Sequence, residues 1–173
     1  MKLFGFLNKH TEIQDILKEC IRKRDKEFAD ELYNVLFLDY DGVVNVTWRN
    51  YDGPPFDTGL VENVNTLCHM FDLKIVITSS WRSFDGYEES LIDSGLAKDI
   101  SIIGKTDELG PRDKEIMEYL KSHPYIEKFI ILDDIPMESL KDYQIQTRYP
   151  IGFDKEHLKK AIDLLNNQKP NRN

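Results

Sequence analysis

The chain has 173 residues, a length that fits one domain around a single hydrophobic core. The chain contains 31 Asp and Glu and 23 Lys and Arg, which gives a net charge of −8. This charge argues against a broad cationic surface for duplex nucleic acid, but it does not exclude a local basic pocket. No segment reaches the roughly 20 apolar residues of a membrane span, and the apolar start at residues 3–7 is far shorter than a signal peptide. We therefore expect a soluble, cytoplasmic protein.

The first predicted element is a helix over residues 11–33. Its apolar residues recur near the 3.6-residue period, and Thr11 with Gln14 fits a capping box. The opposite face is rich in charge, and it either lies in solvent or forms a basic binding face. We assign residues 1–34 to an N-terminal helical extension, which either packs on the domain or mediates association into a homo-oligomer.

Strands and helices alternate in the rest of the chain. The predicted strands cover residues 35–38, 74–78, 100–103, 128–132 and 144–148, and the predicted helices cover 58–71, 87–94, 111–122 and the segment that begins at Asp154. The strand segments are apolar throughout, as a parallel sheet buried on both faces requires. This pattern predicts an α/β fold over residues 35–166, a doubly wound, Rossmann-like parallel sheet, with a frayed polar tail at 167–173.

Two cysteines are too few for a disulfide framework and indicate a reducing compartment. Cys20 and Cys68 fall on apolar faces of predicted helices, so we expect both to be buried free thiols. The four histidines are scattered without ligand spacing, which argues against a zinc site. The sequence has no Gly-x-Gly-x-x-Gly or Walker motif, which argues against the corresponding nucleotide-binding folds.

Chemically active side chains follow three of the predicted strands where each one ends. They are Asp39 and Asp41 after the first strand, Thr78 and Ser79 after the second, and Asp133 and Asp134 after the fourth. In open parallel sheets, ligands bind beyond the carboxyl ends of the strands, where the strand order reverses. A nest of carboxylates there suits Mg²⁺, nucleophilic attack on phosphorus and acid/base catalysis. The residues therefore predict phosphoryl transfer assisted by a hard divalent cation.

Three segments in this order resemble motifs of the haloacid dehalogenase (HAD) superfamily of phosphatases. Residues 38–45 resemble its first motif, Asp-x-Asp after a strand. Residues 75–78 are similar to its second motif, a hydroxyl at a strand end, and residues 129–134 are similar to its fourth, an acidic pair. The resemblance covers residues 34–166. Three further segments, 79–82, 112–116 and 148–153, are similar to the HAD domains of Swiss Army Knife RNA-repair proteins.

The resemblance implies a role for each matching residue. Asp39 would be the nucleophile and a metal ligand, Asp41 the general acid/base with a backbone carbonyl on the metal, and Thr78 a ligand of the transferring phosphoryl group. Asp133 and Asp134 would hold Mg²⁺ directly or through water.

The third motif of the superfamily, a lone Lys or Arg, is not fixed by any local signature in this chain. Arg112 is the first choice among the catalytic candidates, Lys114 is the second and Lys105 the third.

Short connections between the predicted elements leave no room for a large lid domain. We therefore expect a minimal cap or none, and an open site that the loop at residues 46–57 overhangs. The candidate substrate contacts are Trp48, Arg49, Tyr51, Ser79, Trp81 and Arg82. Three alternatives stay open: Trp81 packs under the loop, Arg82 pairs with a carboxylate such as Asp85, and Asp134 caps the turn that follows it.

The sequence thus predicts a Mg²⁺-dependent phosphatase that hydrolyses phosphomonoesters through an aspartyl-phosphate on Asp39. Its partner would be a phosphorylated small molecule or a nucleic-acid end. Two alternatives remain. One is a polynucleotide-end phosphatase that acts on the 3′-phosphate of RNA or DNA, and the other is a non-catalytic HAD-like binding or regulatory module.

Overall fold

The computed structural model describes residues 32–46 and 53–168, together with residues 13, 15, 16, 18 and 19. Five strands form one parallel sheet: β1 (Tyr33–Leu38), β2 (Leu73–Ile77), β3 (Ile102–Lys105), β4 (Ile126–Asp133) and β5 (Gln144–Gln146). Their order is β3-β2-β1-β4-β5. The predicted α/β fold with a Rossmann-like parallel sheet is confirmed.

Four helices lie between residues 53 and 168. They are α1 (Thr58–Phe71), α2 (Tyr87–Asp93), α3 (Arg112–Ser122) and α4 (Lys155–Asn167), and two short 3₁₀ helices cover Ser80–Ser83 and Lys141–Tyr143. The predicted bounds of α1 are those of the structure, because Asp57 caps its start through the N–H groups of Gly59 and Leu60. The strand β3 begins two residues later than predicted, since the N–H of Ile100 instead closes a turn onto the carbonyl of Ala97.

The sheet is buried on both faces, which explains its continuous apolar strands. Along β1, Leu36 and Leu38 enter one apolar cluster, and Val35 and Phe37 enter the other. The first cluster includes residues of α1, α2 and α4, and the second includes residues of α3. Ile13 and Ile16 are buried in the second cluster, so the described part of the N-terminal segment packs on the domain.

The strand order places the ends of three strands side by side. Leu38 at the end of β1 is in register with Leu132 of β4 and with Ile77 of β2. The backbone N–H of Asp39 donates to the carbonyl of Leu132 at 2.9 Å. The chain runs outward from β1 to β3 and then returns to β4 on the other side, so the strand order reverses between β1 and β4. This is where ligands bind in open parallel sheets.

Cys68 is a buried free thiol, as predicted, and burial raises its pKa to about 12. Cys20 lies outside the described residues. In the part of the chain that the structure describes, no helix combines the length and apolar character needed to cross a bilayer.

Candidate active site

Three carboxylates converge at the edge of the sheet where the strand order reverses. Asp39, Asp133 and Asp134 each place one carboxylate oxygen within 4.8 Å of the others. Asp39 and Asp133 are buried and Asp134 is partly buried. Two residues from one strand end and one from another therefore share a small, oxygen-rich volume. The sequence predicts Asp41 as a further metal ligand, and its side chain is not part of this cluster.

Burial makes it costly to charge these carboxylates together. Burial raises the pKa of Asp39, although Arg112 and a hydrogen bond with the Ser79 side chain act in the opposite direction. Burial, and then repulsion from Asp39, raises the pKa of Asp133 to about 7. A hard divalent cation would relieve this repulsion, and carboxylate oxygens are the ligands that Mg²⁺ prefers. The donor set therefore fits Mg²⁺, with Asp39, Asp133 and Asp134 as the residues that would hold it.

Arg112, at the start of α3, brings a positive charge into contact with this cluster. Its Nη1 donates to Asp133 Oδ2 at 2.8 Å and to Thr78 Oγ1 at 3.2 Å, and it lies 3.3 Å from Asp39 Oδ1. Lys114 is exposed on α3. The Nζ of Lys105 donates instead to the backbone carbonyl of Arg82 at 2.9 Å. The geometry thus supports the first of the three choices for the third motif.

Thr78 and Ser79 follow β2 and are both buried. The N–H of Thr78 donates to the carbonyl of Leu38 at 2.9 Å, which fixes its hydroxyl beside Arg112. The Ser79 hydroxyl oxygen accepts the N–H of Trp81 at 3.4 Å, and the same side chain lowers the pKa of Asp39. Ser79 is therefore buried close to the predicted nucleophile and is not among the residues that line the cleft described below.

Asp41 stands apart from the carboxylate cluster and is exposed. Its Oδ1 accepts from Asn45 Nδ2 at 2.5 Å, and its Oδ2 accepts from Trp81 Nε1 at 3.0 Å. A tight turn supports this arrangement, because the carbonyl of Tyr40 accepts the N–H of Asn45 at 2.8 Å. An oriented and accessible carboxylate suits the acid/base role that the resemblance implies for Asp41.

Gly42 lets Asp134 approach the turn closely. Its φ is +72°, and a Cβ built on it would lie 2.6 Å from Asp134 Oδ2. The neighbouring carboxylate, Asp133, accepts the N–H of Ile135 at 2.9 Å through Oδ1. The cap of this turn is therefore Asp133, which corrects the alternative that Asp134 supplies it.

An open cleft of about 800 Å³ lies beside Asp41 and Asp134. It is lined by Asp41, Gly42, Asn45, Ser80, Trp81, Phe84, Asp134 and Tyr149. Trp81 lines the cleft and also packs on Phe56, with ring centroids 5.2 Å apart, so a position against the loop and a role as a substrate contact are compatible.

Phe84 and Tyr149 also line this cleft, 67% and 54% exposed, and no sequence pattern predicts a role for either of them. Tyr149 lies in the segment 148–153 that the sequence had already singled out, and Phe84 follows the segment 79–82. Their positions in or next to these segments are the sequence signal that could have identified the two residues.

Arg82 is the predicted substrate contact that the structure places elsewhere. Its guanidinium is buried and bonds to Glu115 Oε2 at 2.8 Å and to the carbonyl of Thr106 at 3.0 Å. Arg82 therefore has an internal role, in agreement with the alternative that it pairs with a carboxylate. That carboxylate is Glu115, where Asp85 had been suggested. The remaining candidates, Trp48, Arg49 and Tyr51, lie outside the described residues.

A family model described as the HAD domain in Swiss Army Knife RNA repair proteins matches residues 35–158 of the chain. No curated protein and no solved structure matches the chain significantly. The matched segment runs from β1 into α4 and includes the carboxylate cluster, Arg112 and the described residues of the cleft.

Proposed function

Because the chain belongs to this family of HAD domains, we propose that it is a Mg²⁺-dependent phosphatase that hydrolyses phosphomonoesters through an aspartyl-phosphate on Asp39. The observation that carries the proposal is the meeting of Asp39, Asp133 and Asp134 with Arg112 at adjacent strand ends. The cluster combines a nucleophile, a cation-binding set and a cationic side chain for phosphoryl oxygens.

In the first half of the reaction, a carboxylate oxygen of Asp39 attacks the phosphorus atom. The bond between phosphorus and the ester oxygen breaks, and Asp41 donates a proton to the leaving oxygen. Arg112 and the Thr78 hydroxyl, which lie 3.2 Å apart, are placed to hold the phosphoryl oxygens as charge shifts. Bound Mg²⁺ would supply further shielding of the phosphoryl charge.

In the second half, Asp41 takes a proton from a water molecule, and the oxygen of that water attacks the phosphorus of the aspartyl-phosphate. The bond between phosphorus and Asp39 breaks, which releases phosphate and restores the carboxylate. The position of Asp41 at the open cleft supports this role, because both the leaving group and the water reach the site through that cleft.

Hydrolysis of an aryl phosphate with Mg²⁺ or with EDTA tests the proposal. We expect Asp39→Asn to lower kcat by at least about 1,000-fold, because the amide is a poor nucleophile. Asp163→Asn, an exposed change on α4, is the matched control and should leave kcat unchanged. Equal rates for the wild type and Asp39→Asn would reject the mechanism, and equal rates in Mg²⁺ and EDTA would reject the metal requirement.

A second candidate is a phosphatase that acts on polynucleotide ends. The exposed rings of Phe84 and Tyr149 support it, since nucleobases stack on aromatic side chains, and so does the family description, which names RNA repair proteins. The described residues that line the cleft include two carboxylates and no Lys or Arg, which favours a small substrate. Rates on a 3′-phosphorylated oligonucleotide and on the matching 3′-mononucleotide would separate the two candidates.

The expected location and association remain proposals. A cytoplasmic location agrees with the free thiol of Cys68. Burial of Ile13 and Ile16 on the domain favours an N-terminal helix that packs within the chain over one that forms a homo-oligomer. Size-exclusion chromatography with and without residues 1–33 tests this. An assembly with fewer subunits after truncation would support self-association through the helix.

A further inference from the structure

A buried ion pair lies directly behind Arg112. Arg82 Nη2 and Glu115 Oε2 are 2.8 Å apart, and the two side chains are 4% and 5% exposed. Burying two charges costs several kcal/mol of desolvation per ion, and apolar residues of similar size often stabilise a fold equally well. Stability alone therefore does not explain why this pair is placed here.

Glu115 connects the pair to the candidate active site. The same Oε2 atom lies 3.6 Å from Nε of Arg112, which is one helical turn earlier on α3. Its other oxygen, Oε1, accepts the N–H of Leu109 at 3.2 Å. The carboxylate is thus held from two sides and presents a fixed negative charge to the rear of the Arg112 guanidinium.

Arg82 connects Glu115 to the sheet. Its Nε donates to the carbonyl of Thr106 at 3.0 Å, and its Nη1 donates to the carbonyl of Thr78. These carbonyls follow β3 and β2. One guanidinium therefore ties two strand ends to the start of α3 through Glu115, and one of those strand ends carries the Thr78 hydroxyl that Arg112 contacts.

We propose that Glu115, held in place by Arg82, is a positioning residue that fixes the Arg112 guanidinium beside Asp39 and Asp133. An arginine side chain has many rotamers, and a displacement of about 1 Å at a reacting centre can cost about 100-fold in rate. Glu115 restrains the Nε side of the guanidinium while Nη1 faces the site. The inference rests on the proposed function, in which Arg112 holds phosphoryl oxygens.

A double-mutant cycle separates positioning from a purely structural role. The variants are Glu115→Gln, Arg112→Ala and the double variant, and the readouts are kcat and KM on an aryl phosphate and the affinity for inorganic phosphate with Mg²⁺. We expect Glu115→Gln to lower kcat about 10- to 100-fold and to weaken phosphate binding in the wild-type background. In the Arg112→Ala background, Glu115→Gln should change kcat and the affinity for inorganic phosphate less than twofold.

Two further variants keep the test decisive. Glu118→Gln, on the same helix but exposed, is the control and should change neither value. Glu115→Asp retains the charge beside Arg82 and shortens the side chain, so it should show the same dependence on Arg112 if Glu115→Gln fails to fold. Chemical denaturation checks folding of each variant.

Losses of equal size in both backgrounds, or no loss in the wild-type background, would overturn the positioning role while the phosphatase assignment stands. A wild-type protein that hydrolyses no phosphate ester would overturn the proposed function and this inference together.

Discussion

The indole nitrogen of Trp81 donates a hydrogen bond to Asp41 Oδ2 at 3.0 Å. With Asn45 on the other carboxylate oxygen, it holds the proposed acid/base at the mouth of the cleft. The Trp81 ring is itself fixed on Phe56 and Tyr40, with centroid distances of 5.2 and 6.2 Å. The orientation of Asp41 therefore depends on an aromatic residue that follows a different strand.

Trp81→Phe should lower kcat about 5- to 30-fold. The change keeps an aromatic ring on Phe56 and removes the donor to Asp41, and a hydrogen bond to a charged group contributes about 1.5–3 kcal/mol, part of which water restores. The Mg²⁺ concentration that gives half-maximal activity should not change, because Trp81 contacts only the side chain of Asp41, which is outside the carboxylate cluster. Steady-state kinetics over a Mg²⁺ series check both statements, and an unchanged kcat would contradict the role given to this hydrogen bond.

Gly42→Ala should weaken Mg²⁺ binding at least tenfold. A Cβ at this position would lie 2.6 Å from Asp134 Oδ2, so the carboxylate must move. The positive φ of +72° adds about 1–2 kcal/mol of backbone strain. Calorimetric titration with Mg²⁺ and denaturant unfolding measure the two effects.

Gly95→Ala is the matched control for this change. Gly95 also has a positive φ, of +105°, but no atom lies within 4 Å of its Cβ position. Gly95→Ala should therefore lose stability through backbone strain alone and keep its Mg²⁺ affinity. Equal Mg²⁺ affinities for the two variants would show that the contact between Gly42 and Asp134 has no part in metal binding.

Without metal, the protein should lose stability as the pH rises from about 4 to 7. Asp133 has a pKa of about 7 in the fold against an ordinary value of 3.8, so the folded state binds more protons than the unfolded state in this range. The pKa of Asp39 is shifted in the same direction. Thermal melts in EDTA across this pH range measure the slope.

Two further measurements test the source of the decrease in stability with pH. Asp133→Asn should flatten it, because the neutral amide does not titrate. Saturating Mg²⁺ should remove most of it, because the cation stabilises the ionised carboxylates. A metal-free protein whose melting temperature rises between pH 4 and 7 would contradict the electrostatic description of the cluster.

Phe84→Ala should raise KM for an aryl phosphate about 5-fold or more and leave KM for acetyl phosphate unchanged. The ring is 67% exposed at the cleft, and stacking of an aromatic group on such a side chain contributes about 1–3 kcal/mol. Ile92→Ala, an exposed apolar change on α2, is the control. Equal changes in KM for both substrates would show that Phe84 does not select for rings.

The fold could be predicted largely from local signals. Continuous apolar strands indicated a sheet buried on both faces, and Asp154 marked the start of α4. Asp39 and Asp133 could be predicted to meet because parallel strands end at one edge of a sheet. Arg112 could be favoured for the same reason, since it begins the helix before β4.

The internal role of Arg82 could not be derived in this way. Its partner, Glu115, is 33 positions away, and their contact depends on how α3 lies against the ends of β2 and β3. The exposure of Phe84 and Tyr149 likewise depends on the course of irregular segments, where no periodic pattern predicts which side chains face a cleft. The positions of Arg82, Phe84 and Tyr149 therefore depend on long-range packing, which local sequence patterns do not encode.

The placement of β4 beside β1 has a consequence for the newly made protein. Synthesis supplies Asp39 early, but its two carboxylate neighbours, Asp133 and Asp134, follow only after β2 and β3, which lie on the other side of β1. The proposed cation site is therefore incomplete until β4 pairs with β1, because Asp133 and Asp134 supply two of its three carboxylates. The proposed cation site is thus assembled from segments on both sides of β2 and β3 in the chain.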